Sequence, residues 1–288
     1  MCNSQLTPED VTVLLQTAER KKLTSNDPFG ASSKRTSLVC EHGGCRYKLR
    51  KCFSKEDASR MAARLSQVAH LGFFPGLVGQ SDNWLFFEFI NIPEAKRDQD
   101  VVFWGKVGSM IAELEKVPSP LVDVNFSGEC EGEGCLREYI EKAAVSLADA
   151  EWLDWTEVSR LHRIVADFEP HQYCFGYLDL LAGNLLYNGG PVIIADEEGL
   201  AGCIPGISMI RPLDIWHQYK PSRGLHMDEC QWMLAGYSKS GGDADLFIKK
   251  EKQLRAIYYV LKVYDSVKFS GTTAESLKRL REALTHQV

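Results

Sequence analysis

The segment 175–200, FGYLDLLAGNLLYNGGPVIIADEEGL, constrains this chain more than any other. Asp179 stands in a loop before a short apolar run, and Asn184 stands at the start of that run. Asn188-Gly189-Gly190 interrupts the run, Val192–Ile194 resumes it, and Asp196 ends it. Asn-Gly between two apolar stretches is a hairpin signal. Such a hairpin brings two carboxylates and one carboxamide to one edge of the fold. All three are hard oxygen donors, the set that suits Mg²⁺ with room left for phosphate oxygens. The same set suits phosphoryl transfer, in which one Asp orients the attacking hydroxyl while an Asn and a second Asp hold metal. Asp and Asn are also ordinary turn residues, so the reading has to agree with the rest of the chain.

The chain around this segment changes character along its length. Thr7-Pro8-Glu9-Asp10 is a helix start, with a capping hydroxyl, Pro at the first helical position and acids in the first turn. Val11, Leu14, Leu15 and Ala18 follow at helical spacing. Ser37–Glu41 and Cys45–Phe53 read as strands around the turn Glu41-His42-Gly43-Gly44, and Ser54 caps a helix through Met61, Leu65 and Val68. Leu77–Gly79 and Trp84–Ile90 form a second strand pair. The polar stretch 91–100 (NIPEAKRDQD) reads as a linker. Beyond it, helices are expected at Val101–Lys116, Leu136–Ala148 and Thr156–Phe168, and from Met227 to the end with a break at Ser238–Asp243. The chain is therefore α+β, with a β-rich first ninety residues and a mainly helical remainder.

Composition removes several alternatives. Twenty-nine aromatic residues (13 Phe, 10 Tyr, 6 Trp) among 288 argue for a buried core and against disorder. The formal net charge of −6 argues against a partner held by phosphate neutralisation, so no nucleic acid is expected. The charge is unevenly divided. Residues 1–88 carry 12 Lys+Arg against 9 Asp+Glu, net +3, and the rest carry 21 against 30, net −9. A basic first part suits a polyanion and an acidic second part suits a metal or a cationic ligand. The opening MCNSQLTPED lacks a basic region followed by an apolar one, and no apolar run reaches 18 residues. Those features predict a cytoplasmic protein with no membrane partner. Nine scattered Cys then read as reduced thiols. The Cys40, His42, Cys45, Cys52 group and the Cys130, Cys135 pair lack paired zinc spacing, and the first group reads better as a hairpin.

With these residues together, the chain resembles the aminoglycoside phosphotransferase/choline kinase-like family, a branch of the protein-kinase fold. That branch carries H-x-D-x-x-x-x-N, then a hairpin, then an Asp in an I-D-[WF]-E-like run. This chain offers Tyr177-Leu178-Asp179, then Asn184, then Ala195-Asp196-Glu197-Glu198. It departs at Tyr177, Leu178 and Leu181, where the family often has His, Gly and His. The resemblance implies a two-lobed protein-kinase-like fold: an N-lobe over 1–90 (a nucleotide-covering sheet plus one helix), a hinge over 91–100, and a C-lobe over 101–288. It implies an ATP- or GTP- and Mg-dependent phosphotransferase acting on a hydroxyl of a small acceptor of aminoglycoside, choline or sugar type. Asp179 becomes the catalytic residue, and Asn184 and Asp196 the metal ligands.

The family's strand pattern favours Arg50 as the phosphate-holding cation, with Lys48 as runner-up, and Glu56 on the next helix as its carboxylate partner. Ser32 and Ser33, in the small-residue loop 29–35, are the candidate phosphate cradle. Glu88, Phe89 and Ile90 are the hinge expected to meet the adenine. Phe87 and Phe89 also read simply as core aromatics, and Lys48 and Arg50 as a solvated strand face. Asp214 and His217 read as structural. A non-catalytic kinase-fold protein that binds a nucleotide, metabolite or protein partner is the alternative, motivated by Tyr177 and Leu178.

Overall fold

The computed structural model describes residues 6–24, 36–96, 99–119, 136–167, 173–216, 224–269 and 274–285. They divide into two compact units: 1–93 with 193–197, and 94–192 with 198–288.

The first unit is a four-stranded antiparallel sheet with two helices. Helix α1 (Pro8–Thr24) opens as the sequence predicts, with Thr7 Oγ1 accepting from the Asp10 amide at 3.2 Å and Asp10 Oδ2 accepting from the Thr7 amide at 2.9 Å. Strands β1 (Thr36–His42) and β2 (Cys45–Lys51) pair from Thr36↔Lys51 to His42↔Cys45. The tight turn holds Gly43 and Gly44 at φ 58° and 76°, a left-handed backbone that glycine adopts without a Cβ penalty. After β2 comes α2 (Lys55–Val68), capped by Ser54, then β3 (Leu77–Ser81) and β4 (Trp84–Glu88); the sheet order is β1-β2-β4-β3. Alternation along β2 gives the sheet two faces. Tyr47 and Leu49 join Trp84 and Phe86 against Leu14 and Ala18 of α1. Lys48 and Arg50 occupy the other face.

The second unit is mainly helical. Asp100 caps α3 (Val101–Glu115); α4 (Leu136–Asp149) and α5 (Trp155–Ala166) follow. Short strands β5 (Cys174–Tyr177) and β6 (Leu185–Leu186) lead to β8 (Leu200–Cys203), while β7 (Ile193–Ile194) belongs to the first unit. Helices α6 (Ile210–Ile215), α7 (Met227–Lys239), α8 (Ala244–Phe269) and α9 (Ala274–Thr285) complete the described residues. Helices α3 and α7 cross where Gly108 and Gly236 let the backbones touch; a Cβ at Gly108 would overlap the Met233 carbonyl, and one at Gly236 the Gly105 carbonyl. Trp104 packs edge-on to Trp216 at 4.4 Å, and Phe103 to Tyr187 at 4.9 Å. Buried Asp214 ties three helices together, accepting from Arg255 and, at 2.7 Å, from the Tyr259 hydroxyl of α8, with Arg279 of α9 at 3.6 Å.

β5 and β8 pair antiparallel, from Cys174↔Cys203 to Tyr177↔Leu200. The sequence reading did not anticipate either strand, because Cys174–Tyr177 and Leu200–Cys203 contain Gly176 and Gly202 and no β-branched residue. Cys40, Cys52, Cys174, Cys203 and Cys230 are in no disulfide. Cys45 is disulfide-bonded, so the expectation of reduced thiols throughout fails at that residue. No helix among the described residues is long and apolar enough to cross a membrane.

Candidate active site

In the second unit, the loop after β5 presents Asp179. Its backbone is fixed from three directions by residues remote in sequence. The Ser208 hydroxyl accepts from the Tyr177 amide at 3.0 Å, the Gly199 carbonyl accepts from the Leu178 amide at 2.8 Å, and the Tyr258 hydroxyl of α8 donates to the Leu178 carbonyl at 3.2 Å. Tyr177, Leu178 and Tyr258 are all buried. The Tyr177 ring fills the space where a Gly199 side chain would stand, 2.6 Å from that glycine's absent Cβ. Tyr177 thus anchors the loop by packing. A side chain at Gly176 would overlap Ser208 Oγ and Cys203 Sγ, so the glycine is what lets Ser208 reach the loop.

Asn184 ends a single 3₁₀ turn, Ala182–Asn184. Its amide nitrogen donates to the Asp179 carbonyl at 2.7 Å and to Asp179 Oδ2 at 3.1 Å. That leaves the carboxamide oxygen as the atom able to ligate a cation. Arg211 of α6 lies beside the same carboxylate, Nη2 to Asp179 Oδ1 at 3.2 Å, an ion pair without hydrogen-bond alignment. Burial would lower the Arg211 pKa, but Tyr258 and Asp179 hold it above the ordinary value, so it stays charged. Lys262, one turn beyond Tyr258 on α8, is pushed down by burial and by Arg211. Sequence reasoning missed Arg211. Nothing local in Arg211-Pro212-Leu213-Asp214 tells which acid of the chain the cation meets.

In the first unit, Lys48 and Arg50 share the sheet face opposite α1 and meet the segment 193–197. Lys48 Nζ donates to the Ala195 carbonyl and to Glu197 Oε2, each at 2.7 Å, and sits 5.6 Å from the Phe87 ring centroid. Arg50 Nη1 donates to Asp196 Oδ1 at 2.9 Å, and its Nε lies 3.2 Å from Glu197 Oε1. Asp196 is one-third exposed and Glu197 is buried. Burial would raise the Glu197 pKa, but the Arg50 guanidinium and the Lys48 ammonium hold it below the usual carboxylate range.

The structure differs here from the sequence expectation. Glu56 is exposed on the first turn of α2, where its own backbone amide and Ser54 lower its pKa. Its neighbour Asp57 is the buried one, accepting from the Phe53 amide at 3.2 Å. The carboxylate that meets Lys48 and Arg50 is Glu197, beside Asp196. Among the hinge residues Glu88, Phe89 and Ile90, all half-buried, the Glu88 amide donates to the Gly76 carbonyl at 2.9 Å and the Phe89 amide to the Arg46 carbonyl at 3.2 Å. Two of the three amides are therefore already engaged within the sheet. Ser32 and Ser33 lie outside the described residues, as do Cys130, Cys135 and His217. His42 pairs with Asp10 at 2.6 Å, and no metal-binding group of three His, Cys, Asp or Glu occurs among the described residues.

No family profile and no curated protein sequence matches the chain. Solved structures match over nearly its whole length. An ethanolamine kinase from Plasmodium vivax is 10% identical with a TM-score of 0.63, covering 99% of this chain and 91% of that one. A choline kinase from Cryptosporidium parvum is 12% identical with a TM-score of 0.60, covering 95% and 94%. A spectinomycin phosphotransferase, solved with ADP and its antibiotic, is 14% identical with a TM-score of 0.54, covering 88% and 86%. The chain therefore has the fold of the choline kinase and aminoglycoside phosphotransferase group, as the sequence predicts.

Proposed function

We propose that this chain is an ATP- or GTP-dependent phosphotransferase that moves the γ-phosphoryl group to a hydroxyl of a small molecule. The observation that carries the reading is the Asp179–Asn184 pair, held at 2.7 and 3.1 Å on a loop whose backbone is tied down by Ser208, Gly199 and Tyr258. A general base contributes only if its carboxylate is held where the proton leaves. In this reading the acceptor oxygen bonds to the γ-phosphorus, the bond from that phosphorus to the departing nucleoside diphosphate breaks, and the acceptor proton passes late to Asp179. Asn184 and Asp196 are the magnesium ligands. The carboxamide oxygen left free by the Asn184 amide bonds and the one-third exposed Asp196 carboxylate are both hard donors, and both fit that ion. Bound magnesium would neutralise charge on the phosphate oxygens. Lys48 and Arg50 hold phosphate, and the ionised Glu197 holds both cations in place. Arg211 fixes the direction of Asp179. The structural neighbours include kinases of choline, ethanolamine and an aminoglycoside, which supports a small polar acceptor bearing a hydroxyl. A cytoplasmic site of action agrees with this substrate class.

One observation favours the second reading, a non-catalytic kinase-fold binding protein. Lys48 and Arg50 are already paired to Asp196 and Glu197, so phosphate must compete with internal carboxylates. Thermal unfolding with Mg·ATP and with Mg·GTP, in the wild type and in Asp196→Ala, separates the two. The enzyme reading expects a rise of several degrees that needs both Mg²⁺ and Asp196, since a ligand bound only by the native state stabilises it. No rise with either nucleotide would leave only the binding-protein reading.

A further inference from the structure

A cavity of about 400 Å³ opens in the second unit among the end of α3, the turn after β8 and the α7–α8 connection. Its walls are apolar: Ala112, Pro205, Leu246, Phe247 and Leu254. That size and lining suit a small organic ligand. One wall carries Glu115, which nothing in the proposed reaction uses. Glu115 Oε1 accepts from the Gly206 amide at 2.7 Å, and Oε2 accepts from the Tyr237 hydroxyl at 2.5 Å. Both bonds suit a carboxylate, yet among the described residues no cation pairs with it. Neither lysine on the cavity wall forms an ion pair with Glu115. Lys116 Nζ pairs with Glu113 at 2.6 Å, and Lys250 Nζ lies 3.4 Å from the Asp167 carbonyl. Asp167 and Asp243 line the same cavity, so three acids stand with two lysines on its wall. Burial accordingly pushes the Glu115 pKa up to about 7, against the pull of its two hydrogen bonds.

A mostly apolar chamber with an acidic wall, on which Glu115 has no cationic partner among the described residues, complements one class of ligand. We propose that this cavity is a binding site for a small amphipathic amine, its hydrocarbon body against Phe247 and Leu254 and its ammonium on Glu115. The glycines define the space. Gly206, at φ 84°, approaches Phe247 and Leu254 so closely that a Cβ would stand 3.0 and 3.1 Å from their side chains. The site is independent of Asp179 and of the proposed reaction.

The test uses the full chain with 3-phenylpropylamine as the cationic probe and 3-phenylpropanol as its neutral counterpart, read by thermal unfolding and by calorimetric titration. The wild type should be stabilised by about 2 °C or more at 100 times the dissociation constant of the amine. The alcohol should bind at least tenfold more weakly. Glu115→Gln keeps the acceptor for the Gly206 amide, and its NH2 can donate to the Tyr237 hydroxyl, which turns to accept; the variant should erase the preference for the amine. Leu246→Trp, at an exposed position on the rim, should block both probes without disturbing the core. Asp179→Asn should leave amine binding unchanged. Three results would each overturn the proposal: no binding by the wild type, an unchanged amine preference in Glu115→Gln, or loss of amine binding in Asp179→Asn, which would mean that the amine sits at the acceptor site instead.

Discussion

Two glutamates that folding strips of much of their solvent, Glu197 buried and Glu115 half-buried, resolve the same problem in opposite ways, one in each unit. Glu197 in the first unit lies between Lys48 and Arg50, and its pKa falls below the usual value despite complete burial. Glu115 in the second unit has only neutral donors, and its pKa rises to about 7. Burial is common to both, so the presence or absence of a full opposing charge decides the direction. The contrast extends to the two groups of proposed site residues. The first unit holds its cations by ion pairs that a phosphate would have to displace or share. The second holds Asp179 by neutral hydrogen bonds to the loop backbone, which leave the carboxylate itself beside Asn184 and Arg211.

The largest expected effect is on chemistry. Asp179→Asn should lower phosphoryl transfer by about 10²–10⁴-fold, measured as ADP release with an acceptor, while the melting temperature changes little. A rate close to the wild type would remove Asp179 from the mechanism. Next comes stability. Glu197→Ala removes the buried carboxylate that Lys48 and Arg50 share, leaving Lys48 on the Ala195 carbonyl and Arg50 on Asp196, and breaking a buried pair costs about 3–5 kcal/mol. The melting temperature should then fall on the order of 10 °C. A much smaller fall would show that the Ala195 carbonyl, Asp196 and solvent suffice for Lys48 and Arg50, and the comparison would collapse.

Ser208→Ala sharpens the second half of the contrast. Losing a buried acceptor for the Tyr177 amide costs about 1–3 kcal/mol. It should lower kcat and leave nucleotide affinity, measured by titration, unchanged. An equal loss of nucleotide affinity would argue against Ser208 acting through the Asp179 loop. The pH dependence separates the glutamates directly. Glu115 has a raised native pKa, so its contribution is fully present below the unfolded value near 4.5 and is lost as pH rises through about 7. Glu197 has a lowered one, so its contribution is present above that unfolded value and is lost as pH falls through the native pKa. Chemical denaturation from pH 4 to 8 should therefore show a decline between about pH 4.5 and about 7, levelling off above, that disappears in Glu115→Gln. A decline that persists in the variant would assign it to another group. The smallest effect belongs to Glu56→Ala, an exposed helix-start acid. Activity should stay within about twofold and the melting temperature within about 1 °C, as for most surface substitutions. A severe loss of nucleotide binding would restore Glu56 to the role the sequence suggested.

Much of this molecule was legible in the chain. The helix start at Thr7-Pro8, the Gly43-Gly44 turn, the Ser54 cap and the breaks at Asn188-Gly189-Gly190 and Ser238–Asp243 are local chemistry. Each follows from side chains within a few residues of one another, and the fold class followed from their order. The Asp179–Asn184 pairing was legible for the same reason, because five residues separate them. Which carboxylate meets Lys48 and Arg50 was not. The period of two places both cations on one sheet face, but nothing local distinguishes Glu56, at the start of the next helix, from Glu197, nearly 150 residues away. Nor could the sequence announce Ser208, Arg211 and Tyr258 as supports of the Asp179 loop, or Glu115 as an acid without a cation. Local sequence determines backbone conformation through short-range sterics and hydrogen bonds. Partners for charge are settled by which distant segments the packed core brings within a few ångströms, and that only the tertiary structure decided.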